Sequence, residues 1–119
     1  MPRPAAVAVT VAALAALAVG LNRARAAAQA IEVKVPSTRV CLREIDGITL
    51  GVRSRDGGPR RFRVRLYDPH GKVVLDHGGL ATSRWKQWGY RPTLGGVYRT
   101  VYTLPGRSRR YRTHALGCG

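Results

Sequence analysis

Arginine is the residue type with which this sequence could do chemistry. Eighteen arginines stand against three lysines, and they bunch: Arg60, Arg61, Arg63 and Arg65 in one stretch, Arg107, Arg109, Arg110 and Arg112 in another. A guanidinium offers a planar fork of donors that pairs bidentately with phosphate, sulfate or carboxylate. Phe62, Val64 and Leu66 alternate with Arg63 and Arg65, so those arginines share a strand face with Tyr67. Arg110, Arg112 and His114 share one face of the last run, opposite Tyr111, Thr113 and Ala115. If both runs lie in one sheet, Arg63, Arg65, Arg110 and Arg112, with Arg61 and Arg109 beside them, form a cationic patch for a polyanion. Interleaved tyrosines could stack on a sugar or base. Arginine-rich composition and the need for a polar outer face account for such charge without any ligand.

A second constellation is the segment Trp85-Lys86-Gln87-Trp88-Gly89-Tyr90-Arg91. Odd spacing on a strand sends Trp85 and Trp88 to opposite faces, one inward and one outward. Trp85, Trp88, Tyr90 and Arg91 would then serve as an aromatic, cationic contact for an acidic cleft of a protein partner.

Other chemistries find little material. His70, His77 and His114 show neither H-x-H nor H-E-x-x-H spacing, and no serine sits in a G-x-S-x-G elbow. Six carboxylates, three histidines and two cysteines leave too few ligands for a zinc or calcium site beside any other use. The expectation is a protein without catalytic activity, metal or cofactor.

The elements that must position these residues are strands. Hydrophobicity alternates with period two in Ile31–Val35, Ile48–Val52 and Phe62–Leu66. Further strand-like runs cover 72–76, 83–90, 96–104 and 109–116. Asp46-Gly47 reads as a two-residue hairpin turn, Asp68-Pro69-His70-Gly71 as a β-turn, and Gly78-Gly79, Gly95-Gly96 and Pro105-Gly106 as further breaks. The spacing predicts an all-β fold: a small antiparallel, immunoglobulin-like β-sandwich of seven to eight strands. The run Phe62-Arg63-Val64-Arg65-Leu66-Tyr67-Asp68-Pro69-His70-Gly71-Lys72-Val73-Val74 resembles the strand–turn–strand hairpin of bacterial extracellular immunoglobulin-like modules. That resemblance implies a sandwich and carries no activity.

Residues 1–30 read as a secretory signal peptide: Arg3, an uncharged run from Ala5 to Leu21, then small residues ending at Ala30. A membrane anchor is the rival reading, weakened by an alanine-rich run at the short limit of a span. Residues 31–119 form the single domain. With Arg3, Arg23 and Arg25 in the leader, the eighteen remaining basic residues face all six acidic ones, leaving +12. In an exported chain Cys41 and Cys118 are expected to join, stapling a domain too small to be held firmly by its core alone. The sequence thus points to a secreted cationic module docking an acidic glycan or a teichoic-type polymer, out of reach of cytosolic nucleic acid. The alternative is a secreted hydrolase inhibitor or toxin-like effector that docks an extracellular protein through residues 85–91.

Overall fold

The structure, a computed structural model, describes residues 30–119; the predicted leader up to residue 29 lies outside the described residues. Eight strands follow in order: β1 (Ile31–Val33), β2 (Arg39–Cys41), β3 (Ile48–Ser54), β4 (Arg60–Tyr67), β5 (Val73–Ala81), β6 (Lys86–Tyr90), β7 (Gly96–Leu104) and β8 (Arg107–Leu116). They form two sheets, β1-β3-β6 and β2-β8-β7-β4-β5. The period-two pattern explains the layering. Ile48, Leu50 and Val52 of the three-stranded sheet and Phe62, Val64, Leu66, Tyr98 and Tyr102 of the five-stranded sheet are all buried between them. Their alternating neighbours face outward, as a half-buried sheet requires.

The strand order is that of an immunoglobulin-like sandwich. β1, β3 and β6 take the places of strands A, B and E, while β5, β4, β7 and β8 take those of C′, C, F and G. Two buried tyrosines reinforce this assignment. The Leu94 amide, two residues before the start of β7, donates to the Tyr98 hydroxyl at 3.2 Å, four residues on. That is the tyrosine corner found where strand F begins in such domains. Tyr102 joins the sheets: its hydroxyl donates to the Lys34 carbonyl at 2.7 Å and accepts from the Gly51 amide at 3.1 Å. Burial pushes the Tyr102 phenol well above its ordinary pKa, against the opposing effect of the Gly51 hydrogen bond.

The disulfide Cys41–Cys118 is formed, with Cα atoms 5.5 Å apart and a sequence separation of 77. It staples short β2 to the segment after β8. These two strands run parallel, with Val40 opposite Ala115; every other pairing is antiparallel. One parallel pair at an edge is thus the departure from the wholly antiparallel expectation.

Three local expectations are corrected. Asp46-Gly47 does not close a hairpin, because β2 and β3 belong to different sheets. The segment turns a corner instead, with Asp46 at φ 53°. Gly78-Gly79 is not a break. Both glycines lie inside β5, opposite Arg63 and Phe62, and Gly79 holds φ 149°, a nearly extended backbone open to glycine and strained for other residues. The run expected over 72–76 therefore continues to Ala81, and the run expected from Ser83 begins only at Lys86. By contrast, the Asp68–Gly71 turn closes as its residues suggest. The Gly71 amide donates to the Asp68 carbonyl at 2.9 Å, while the Asp68 carboxylate accepts the His70 and Lys72 amides.

Candidate anion-binding face

Both arginine strands lie in the five-stranded sheet, separated by β7 alone. Its outer face is built in rows across the strands. One row runs Asp76, Arg65, Val101, Arg110; the next runs Val73, Tyr67, Arg99, Arg112. On one side lies a row of Gly78, Arg63, Thr103 and Ser108, and beyond it Arg61 opposite Leu80. On the other side His114 stands between Val97 and Arg39. The alternation that buries Val64 and Leu66 forces Arg61, Arg63 and Arg65 outward, and the buried Tyr98, Thr100 and Tyr102 do the same for Arg99.

Not all of these cations are equivalent. Arg63 grips Asp76 with two hydrogen bonds of 3.0 and 2.9 Å, and Arg65 Nε lies 3.4 Å from the same carboxylate. The Arg63 hydrogen bonds are the main cause holding the Asp76 carboxyl below its usual range, helped by the charges of Arg63 and Arg65. Arg63 is held correspondingly more firmly protonated. Elsewhere Glu32 sits beside Arg53 and Arg55, and Asp56 beside Arg60. Among the described residues no carboxylate pairs with Arg99, Arg110 or Arg112.

Those three line a shallow depression of about 460 Å³ together with Tyr67, Thr100, Val101 and Tyr111. The Arg99 guanidinium lies over the Tyr67 ring, 5.4 Å from its centroid. That side of the ring is therefore taken by a neighbouring cation and is not free to stack on a sugar or base.

Arg109 leaves the expected patch. It stands opposite Tyr102 on the inward side of β8, with its Nε buried and without a hydrogen-bond partner among the described residues. The alternation with Tyr111 and Thr113 already implied this. Arg99, in contrast, was missed because it stands alone between apolar and tyrosine residues rather than in a run. Its place between Tyr98 and Thr100 was the available signal.

The segment 85–91 divides as its odd spacing requires. Trp88 turns inward opposite Leu50 and packs between His77, stacked at 4.8 Å, and Phe62 at 5.7 Å. Trp85 lies under Arg53 and Lys34, at 4.9 and 5.8 Å from its ring centroid. Tyr90 leans on Tyr98 at 5.8 Å. Burial is the main cause raising its phenol above the ordinary pKa. Arg91 donates to the Arg43 carbonyl at 2.8 Å. Of the four residues, Trp88 and Tyr90 thus belong to the packing of the sandwich. Among the described residues no group of three His, Cys, Asp or Glu side chains could hold a metal ion.

The fold and this face define a small disulfide-tied β-sandwich with a strongly basic outer sheet. No protein-family model and no curated protein sequence matches the chain. Among solved structures it is similar to the CARDB domain of a Pyrococcus furiosus protein in complex with di-metal ions. The identity is 16%, over 72% of this chain and 85% of that domain, with a TM-score of 0.48. It is also similar to part of the β-glucosidase of Listeria innocua in complex with isofagomine, at 12% identity and a TM-score of 0.42, over 71% of this chain and 16% of the enzyme.

Proposed function

We propose that this protein is a non-catalytic binding module of an extracytoplasmic space that docks an acidic glycan or teichoic-type polymer on the outer face of its five-stranded sheet. The observation that supports this reading is the arginine face itself: Arg61, Arg63, Arg65, Arg99, Arg110 and Arg112 project from three adjacent strands around a single carboxylate, Asp76. Such a face concentrates positive potential and attracts a flexible anion chain. The disulfide fits an oxidising compartment. Among the described residues no helix is long and apolar enough to cross a membrane.

The test is a salt titration of the oxidised full chain on an immobilised sulfated glycan, with a neutral glycan as control. Binding should fall by at least about tenfold between about 50 and 200 mM salt, because docking releases cations condensed on the polymer and added salt opposes that release. Equal retention on the neutral glycan, or affinity insensitive to salt, contradicts the reading.

A further inference from the structure

The outer face has a focus that the general charge does not explain. Arg99 and Arg112 are directly opposed across β7 and β8. Like charges in that relation repel at close range and weaken a strand pair. Arg110, two residues along β8, lines the same depression. On the same face Asp76 sits between Arg63 and Arg65; elsewhere Asp56 stands at Arg60, and Glu32 at Arg53 and Arg55 on the other sheet. The Arg99–Arg110–Arg112 group has none among the described residues. An anion placed between the guanidinium groups would replace that repulsion with attraction.

The local geometry also prepares the donors. Tyr67 supports one face of the Arg99 guanidinium. A cation held by its face keeps its in-plane N–H groups free, and those are the groups that fork onto an oxyanion. The depression falls within the size range of sites that seat one small ligand.

Resting on the polyanion reading above, we propose that Arg99, Arg110 and Arg112 form a discrete site for one tetrahedral oxyanion ester, phosphate or sulfate, with Tyr67 as the residue that positions Arg99. The other arginines of the face then act as a general field that draws the polymer in, and this site holds one ester group of it. A phosphate monoester is the tighter ligand, since it carries about two charges at neutral pH against one for a sulfate ester.

The experiment follows the assigned arginine Nε–Hε resonances of the oxidised full chain by NMR. Glucose 6-phosphate, glucose 6-sulfate and glucose are added at constant ionic strength. The proposal expects saturable shifts at Arg99, Arg110 and Arg112 with both esters, stronger with the phosphate, and none with glucose. Arg99→Gln should weaken ester binding about tenfold, and Arg61→Gln, which removes the same charge outside the site, less than about twofold. Arg112→Lys keeps the charge and should still weaken binding several-fold. Tyr67→Phe should bind as the parent does, whereas Tyr67→Leu should bind more weakly. Shifts that grow without saturation, that appear equally at Arg61, or that glucose also produces overturn the site. If the salt-sensitive glycan binding persists while Arg99→Gln and Arg61→Gln weaken it equally, the general field stands and the discrete site falls. If esters saturate the site but no polymer is retained, the site stands and the polymer reading falls.

Discussion

At the scale of single residues, the molecule turns on a few polar groups whose partners are far away in sequence. Tyr102 is the clearest. Its hydroxyl satisfies the Gly51 amide and the Lys34 carbonyl across the two sheets. Removing it leaves a buried amide and carbonyl without that partner. Tyr102→Phe should therefore lower the stability of the fold by about 1–3 kcal/mol. Denaturant unfolding measures this, and a variant as stable as the parent would show that the bridge contributes nothing. The same scale shows how far single residues could be read in advance. Alternation alone assigned Arg63, Arg65, Arg110 and Arg112 to an outer face and Trp88 and Trp85 to opposite ones. It could not show that Arg63 is already engaged by Asp76, thirteen positions away, because that depends on strand register. Nor did counting arginines in runs find Arg99, whose importance lies in what stands across from it.

At the scale of elements, the informative strands are those that contradict their local signals. Gly78-Gly79 resembles a turn, yet pairing with β4 keeps it extended, and β5 becomes a nine-residue edge strand. Asp46-Gly47 resembles a hairpin, yet it joins two sheets. In both cases tertiary pairing overrides a dipeptide preference, and the sequence carries no local mark of which strand lies next to which. The same lack of a mark hid the parallel pairing of β2 with β8. Edge strand β5 is fastened to β4 in part by Asp76, which holds Arg63 and Arg65. Its carboxyl titrates below the ordinary range in the folded chain. The contribution of this pair is thus complete above the ordinary aspartate pKa of about 3.9, and is lost as pH falls through the lower folded value. Amide exchange in β5 should accelerate across that acid window relative to β3, after correction for intrinsic rates, and Asp76→Asn should remove the difference. An unchanged ratio of β5 to β3 exchange on acidification would show that the pair does not hold the strand.

At the scale of the whole molecule, a small sandwich with a large excess of positive charge is held against self-repulsion by its core and one covalent tie. The bridge closes a loop spanning 77 positions, and loop closure of that length is worth about 4–5 kcal/mol in the chain-entropy model. Paired replacement of Cys41 and Cys118 by serine should lower the unfolding midpoint in denaturant accordingly, and it should do so more at low salt, where the arginines repel most strongly. A loss of unfolding free energy of less than about 1 kcal/mol would show that the folded core needs no staple. The position of the bridge has a mechanical consequence as well. A pull applied at residue 30 and residue 119 runs along the chain to Cys41 and crosses directly through sulfur to Cys118. The strands from β3 to β8 lie inside that covalent shortcut and cannot be drawn out along the line of pull; what can extend is β1, which must first shear from β3, and the segment through β2 to Cys41. Under a pull between those two ends, the arginine face keeps its fold for as long as the sulfurs stay joined. In a reducing medium the same pull would reach every strand, and the chain could lengthen by about 25 nm more.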